Sequence, residues 1–117
     1  MNQSVYFTNL SDYDITTALA YVKGKGSVKA ITRGKINIFR TDPLVEKIYM
    51  NMDEMQEQDW LVLAGNSFVC SLCCSVMYKR FGKLKLLIWD AVERSYRPVK
   101  TTMERNYNAS EFHSVKV

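Results

Sequence analysis

Two short stretches of this 117-residue chain interleave cations with aromatic rings. One is Tyr78-Lys79-Arg80-Phe81-Gly82-Lys83-Leu84-Lys85, and the other is Arg94-Ser95-Tyr96-Arg97-Pro98-Val99-Lys100. Cations can pair with phosphates while nearby rings stack on bases, the usual chemistry of sequence-tolerant nucleic-acid surfaces. Arg80, Lys83, Lys85, Arg94, Arg97 and Lys100 are therefore candidate phosphate contacts, and Tyr78 and Tyr96 are candidate stacking rings. The plainer alternative is a solvated surface, since Lys79 and Arg80 suit any helix C-terminus and lysines are common on edge strands. A net charge of +4 permits an acidic partner without requiring one.

Gly65-Asn66-Ser67 is a second candidate, because it follows an apolar strand and opens a helix. Free N–H groups at that point, with Ser67, can hold an anion. The motif lacks the glycines of a dinucleotide fingerprint, the lysine of a phosphate loop and the second glycine of a nucleophile elbow. A turn followed by a helix cap explains the same residues. Lys23-Gly24-Lys25-Gly26-Ser27 resembles a phosphate loop only superficially, since it follows a helix instead of preceding one. It reads as a solvated turn, with a role as a mobile basic finger left open.

The groups that acid–base or metal chemistry needs are scarce. The sole histidine, His113, falls in a polar tail. Cys70, Cys73 and Cys74 lie in the most apolar helix, where free thiols behave as small core side chains. Asp12 and Asp14 suit a helix start, and Asp53, Glu54, Glu57 and Asp59 form a solvated run at a helix exit. Asp90 ends a strand, a frequent place for a catalytic acid in open α/β sheets, but no partner for it can be named. The expectation is a non-enzymatic chain with no cofactor and no metal.

The elements that must position these residues follow from periodicity and punctuation. Residues 5–8 read as a first strand. A helix then starts from a cap at Ser11 or Asp12, buries Ile15, Ala18, Leu19 and Val22, and stops at Gly24. Residues 27–32 and 35–39 read as short strands around Arg33-Gly34, either as a hairpin or as one strand with a bulge. Asp42 as N-cap and Pro43 at the first helical position predict a helix to about Gln56, burying Val45, Ile48, Met52 and Met55. The apolar run 60–64 predicts a strand covered on both faces. A helix over 68–81 and a strand over 83–90 complete a parallel crossover. Residues 95–102 return antiparallel, with Pro98 suited to a sheet edge. Residues 1–102 thus form a single α/β domain, with a small mixed, mainly parallel sheet, about three helices and a C-terminal antiparallel edge strand. Residues 103–117 are expected to be a flexible polar tail.

The longest apolar window, 67–78, is too short to span a bilayer, and the N-terminus lacks the pattern of a signal peptide. Together with cysteines that have no distant partner, this predicts a cytoplasmic protein without a membrane role.

Asp59-Trp60-Leu61-Val62-Leu63-Ala64-Gly65 and Phe81-Gly82-Lys83-Leu84-Lys85-Leu86-Leu87-Ile88-Trp89-Asp90 resemble segments of small uncharacterised proteins from tailed bacteriophages. The stretches 5–14 and 39–43 are similar in flavour. The resemblance carries no known activity; it implies a viral accessory protein acting in a bacterial cytoplasm. The leading functional reading is a binding module for nucleic acid. The alternative is a protein-interaction module, either self-associating or inhibiting a host protein, and a nucleotide-binding or enzymatic domain around residues 65–67 and Asp90 comes third.

Overall fold

A computed structural model describes residues 1–12 and 14–102. The expected tail, with His113, lies outside the described residues. The chain order is β1 (Val5–Phe7), α1 (Thr16–Leu19), β2 (Val28–Ala30), α2 (Thr41–Met52), β3 (Trp60–Val62), α3 (Ser67–Phe81), β4 (Leu84–Asp90) and β5 (Ser95–Thr101). The five strands form one sheet in the order β2-β1-β3-β4-β5. Every neighbouring pair is parallel except the β4–β5 hairpin. This is the mixed, mainly parallel α/β fold with three helices that the sequence predicts.

Strand alternation sends side chains to two separate cores. Tyr6, Leu61 and Leu86 face α2 and α3, packing with Leu44, Ile48, Met52, Val69, Cys73, Val76 and Met77. Val5, Phe7, Trp60, Val62, Leu87 and Tyr96 face the other way, against Ala18 of α1. Helices therefore cover both faces, which explains why β1 and β3 are apolar at every position. At the far end of α3, Gly82 adopts φ +69 and its N–H bonds to the carbonyl of Tyr78, the expected left-handed stop.

The helix after β1 is far shorter than its periodicity predicts. Neither Ser11 nor Asp12 caps it; the Asp14 carboxylate accepts the Thr16 N–H at 3.0 Å, and Ile15 occupies the N-cap position. Three successive β-branched residues, Ile15-Thr16-Thr17, are poor helix formers, and α1 is only a single turn. Residues 35–39 do not form a strand either. The chain follows β1 as far as Thr32, which donates its N–H to the Thr8 carbonyl at 3.2 Å. It then leaves the sheet at Gly34, φ +64, so this glycine marks neither a hairpin nor a bulge. Among the described residues nothing pairs with the outer edge of β2, and Ile36 and Ile38 pack against the core from an irregular segment.

Two corrections concern α2. Its N-cap is Arg40, and Asp42 sits inside the first turn without making a side-chain cap. The helix ends at Met52, yet Met55 is fully buried beyond it. The turn after the helix is held by Asp59, which is buried and not solvated. Its carboxylate accepts the Ser4 and Gln56 N–H groups, each at 2.8 Å.

Candidate functional site

The β4–β5 hairpin carries most of the basic residues singled out above, but strand geometry divides them. Lys85, Leu87 and Trp89 stand opposite Lys100, Pro98 and Tyr96 on the face shared with Trp60 and α1. Arg97, opposite Ile88, points to the other face. Arg97 Nη1 donates to Asp90 Oδ2 at 3.0 Å, and that carboxylate also accepts the Val92 and Glu93 N–H groups. Asp90 thus organises the hairpin turn, where Arg94 is exposed and holds φ +52. The Arg97 guanidinium and these turn hydrogen bonds hold the Asp90 carboxyl below its ordinary pKa, the side-chain bond to Arg97 being the largest cause.

Two more of the candidates have structural partners. Tyr96 is buried, with edge-to-face contacts to Phe7 and Trp89 at 6.1 and 5.1 Å between ring centroids. Its N–H donates to Thr17 Oγ1 at 2.9 Å, on the outer edge of β5. Arg80 donates from Nη1 to the Met52 carbonyl and from Nη2 to the Met55 carbonyl at 2.9 Å, closing the C-terminal end of α2. Its guanidinium also lies 4.9 Å from the Phe81 ring centroid. Tyr78 is half-buried on α3, the helix that packs on the face opposite Trp60.

Lys83, Lys85 and Lys100 come together. They line a cavity of about 540 Å³ with Met1, Gln58 and Thr101 among its walls. Lys85 and Lys100 are cross-strand partners, with Cβ atoms roughly 4.5–5.5 Å apart by ladder geometry. Their ammonium groups lie 4.3 and 5.5 Å from the Trp60 ring centroid, where the negative face of the indole attracts cations. Lys85 is buried, 7% exposed, and donates to the Gln58 carbonyl. Burial depresses the pKa of the Lys85 amine; Lys100 and then Lys83 push the same way, while Asp59 opposes them. Lys83 is offset by Glu57 at 2.9 Å, but among the described residues no carboxylate forms an ion pair with Lys85 or Lys100. Trp60 and the Gln58 carbonyl are the members of this site that sequence reasoning missed. Only the parallel register of β3 against β4 brings them under Lys85.

The remaining candidates are occupied by local structure. Asn66 Oδ1 accepts the Phe68 and Val69 N–H groups at 2.8 and 3.4 Å, so Gly65-Asn66-Ser67 forms a turn and cap. An anion at that helix start would have to displace the Asn66 amide. The 23–27 loop is tied to the N-terminal segment: Gln3 and Lys23 exchange both backbone hydrogen bonds, and Lys25 N–H donates to Asn2 Oδ1. Burial raises the thiol pKa of Cys73 to about 12 and that of Cys74 to about 11, with neighbouring thiols adding to the effect. Cys73 belongs to the core, as its helix predicts. Among the described residues there is no metal-binding cluster and no helix long and apolar enough to cross a membrane.

Compared with known proteins, the chain matches the family model described as phage Pam3 gp32-like protein over residues 4–103. That span covers more than four fifths of the chain and agrees with the phage resemblance carried by residues 59–65 and 81–90. No curated protein and no solved structure matches it.

Proposed function

The chain belongs to the phage Pam3 gp32-like protein family, and we propose that this phage protein is a non-enzymatic binding protein that associates with nucleic acid through the lysine cavity at the open end of the β4–β5 hairpin. One observation carries the reading. Lys85 and Lys100 face each other directly across an antiparallel ladder, over the Trp60 ring, without an ion-pair carboxylate among the described residues. Like charges directly opposite each other in a ladder are destabilising. A phosphate between them turns the repulsion into attraction, which makes an anion the natural complement of this site.

The contact surface is smaller than the basic-aromatic sequence segments suggest. It centres on Lys83, Lys85 and Lys100, while Arg80, Tyr96 and Arg97 hold the fold and the hairpin. Fluorescence anisotropy of labelled single- and double-stranded oligonucleotides, repeated at several salt concentrations, tests the reading. Two to three phosphate contacts give a log–log salt slope of about −2 to −3 on duplex. Absence of binding at low salt removes it.

A protein-interaction role is the second reading, favoured by the exposed apolar side chains Ile88, Trp89, Val92 and Val99 on the same hairpin. Addition of a further strand to β5 has limited support, since Tyr96 N–H is engaged by Thr17 and Pro98 has none to give. Side-chain contact with the hairpin is the more favourable mode. Light scattering coupled to size exclusion detects self-association, and a strict monomer removes that version.

A further inference from the structure

We infer that the lysine cavity selects a phosphate monoester, carried either by a strand end or by a free mononucleotide, over the internal phosphodiester of a polymer. This rests on the reading of the cavity as a nucleic-acid site and names the group it takes. The argument is one of charge and shape. Of the three converging cations, Lys83 is neutralised by Glu57, whereas Lys85 and Lys100 have no ion-pair carboxylate among the described residues. Asp59 offsets part of the Lys85 charge from nearby, so the uncompensated charge lies between one and two units. A phosphate monoester carries about −1.5 to −2 at neutral pH, whereas a diester carries a single unit and leaves part of that charge unmatched.

Shape points the same way. Both ammonium groups lie near the same ring, 4.3 and 5.5 Å from the Trp60 centroid, and extend from directly opposed residues, an arrangement that lets them turn to a single acceptor. Lys85 is held in place by the Gln58 carbonyl and by burial, which reduces the ordering cost of engaging a ligand. The cavity, about 540 Å³, is also walled by Met1, Leu84, Thr101 and Gln58. That volume accommodates a single nucleotide or the end of a chain.

The full chain is titrated with two 3′-labelled single-stranded oligonucleotides that differ only in a 5′-phosphate or a 5′-hydroxyl, and by calorimetry with uridine monophosphate. The expected result is at least tenfold tighter binding of the 5′-phosphorylated probe, with the preference falling below threefold in Lys100→Gln. Lys100 is exposed, so that variant keeps the fold; Lys47→Gln, exposed on α2 and outside the cavity lining, is the control expected to keep the preference. Uridine monophosphate binding as tightly as the phosphorylated oligonucleotide identifies a free nucleotide as the source. Much weaker binding of the mononucleotide identifies a strand end. Equal, salt-dependent affinity for both oligonucleotides, with no binding of the mononucleotide, overturns the monoester inference and leaves the nucleic-acid reading standing. No binding of any probe overturns both.

Discussion

Arg80 separates a structural cation from a ligand-binding one, and Arg80→Met tests the distinction. Methionine keeps much of the apolar stem while removing the guanidinium. In the native chain that group donates to the Met52 and Met55 carbonyls and lies against Phe81. Met52 and Met55 are both fully buried, so the substitution strands the Met55 carbonyl and leaves the Met52 carbonyl with the Met55 N–H alone. A hydrogen bond from a charged donor contributes roughly 1.5–3 kcal/mol, and an orphaned buried acceptor costs about 1–3 kcal/mol. These describe the same loss from two sides and are not summed. Two such bonds, discounted for partial access to water, give an expected destabilisation of about 2–4 kcal/mol. In urea, with a slope of about 1–3 kcal/mol per molar, the midpoint falls by on the order of 1–2 M. Buried Trp60 supplies the fluorescence signal. Oligonucleotide affinity, measured where the variant is folded, stays within about threefold, because Arg80 is not among the residues that line the lysine cavity. An unmoved urea midpoint with a tenfold loss of binding refutes the reasoning and returns Arg80 to the interface.

Lys85→Met removes an amine whose pKa lies below the ordinary lysine value, chiefly through burial and then through Lys100 and Lys83. As pH rises toward the lysine range the unfolded chain holds that proton longer than the folded one, so stability from this group rises with pH. Thermal melts from pH 7 to 10 should show a smaller rise, or a steeper fall, in the variant than in the native chain; parallel profiles contradict the assignment. Gly26→Ala places a Cβ 1.7 Å from the Gln3 carbonyl oxygen, and the clash costs about 1–3 kcal/mol as the N-terminal segment shifts. A lowered urea midpoint checks it, and an unchanged one means that the 23–27 loop is not docked as described. Cys73, raised from 9.0 to about 12, has roughly a thousandfold less thiolate at pH 8 than an unperturbed thiol. Residue-resolved alkylation of the native protein should therefore leave Cys73 unmodified until urea is added, and rapid labelling without denaturant argues against its burial.

Local chemistry made much of the fold legible. The run Trp60-Leu61-Val62 announced a strand covered on both sides, and α3 showed both its start near Ser67 and its stop at Gly82. Pro98 and the charges around it marked an edge, and β5 is the outermost strand on that side. Helix boundaries were harder. Apolar spacing from Ile15 to Val22 suggested a full helix, yet β-branched residues and tertiary contacts leave a single turn. Residues 35–39 alternate like a strand, but Ile36 and Ile38 pack against the core from an irregular segment instead of pairing with the free edge of β2.

The candidate site was legible only as a list of cations. Composition and spacing placed Lys83, Lys85, Arg97 and Lys100 on adjoining segments, because hairpin pairing is local and period-two alternation is visible along the chain. Which of them meet was decided by the tertiary structure. Antiparallel register set Lys85 against Lys100 and sent Arg97 to the opposite face. The parallel pairing of β3 with β4, across the intervening helix, brought Trp60 and Gln58 beneath the lysines. Arg80, within the first basic segment in sequence, was drawn instead to the end of a helix more than 20 residues away. Side-chain type is written residue by residue, but the competition among carbonyls, carboxylates and rings for each cation is settled only when long-range pairing fixes which of them is within reach.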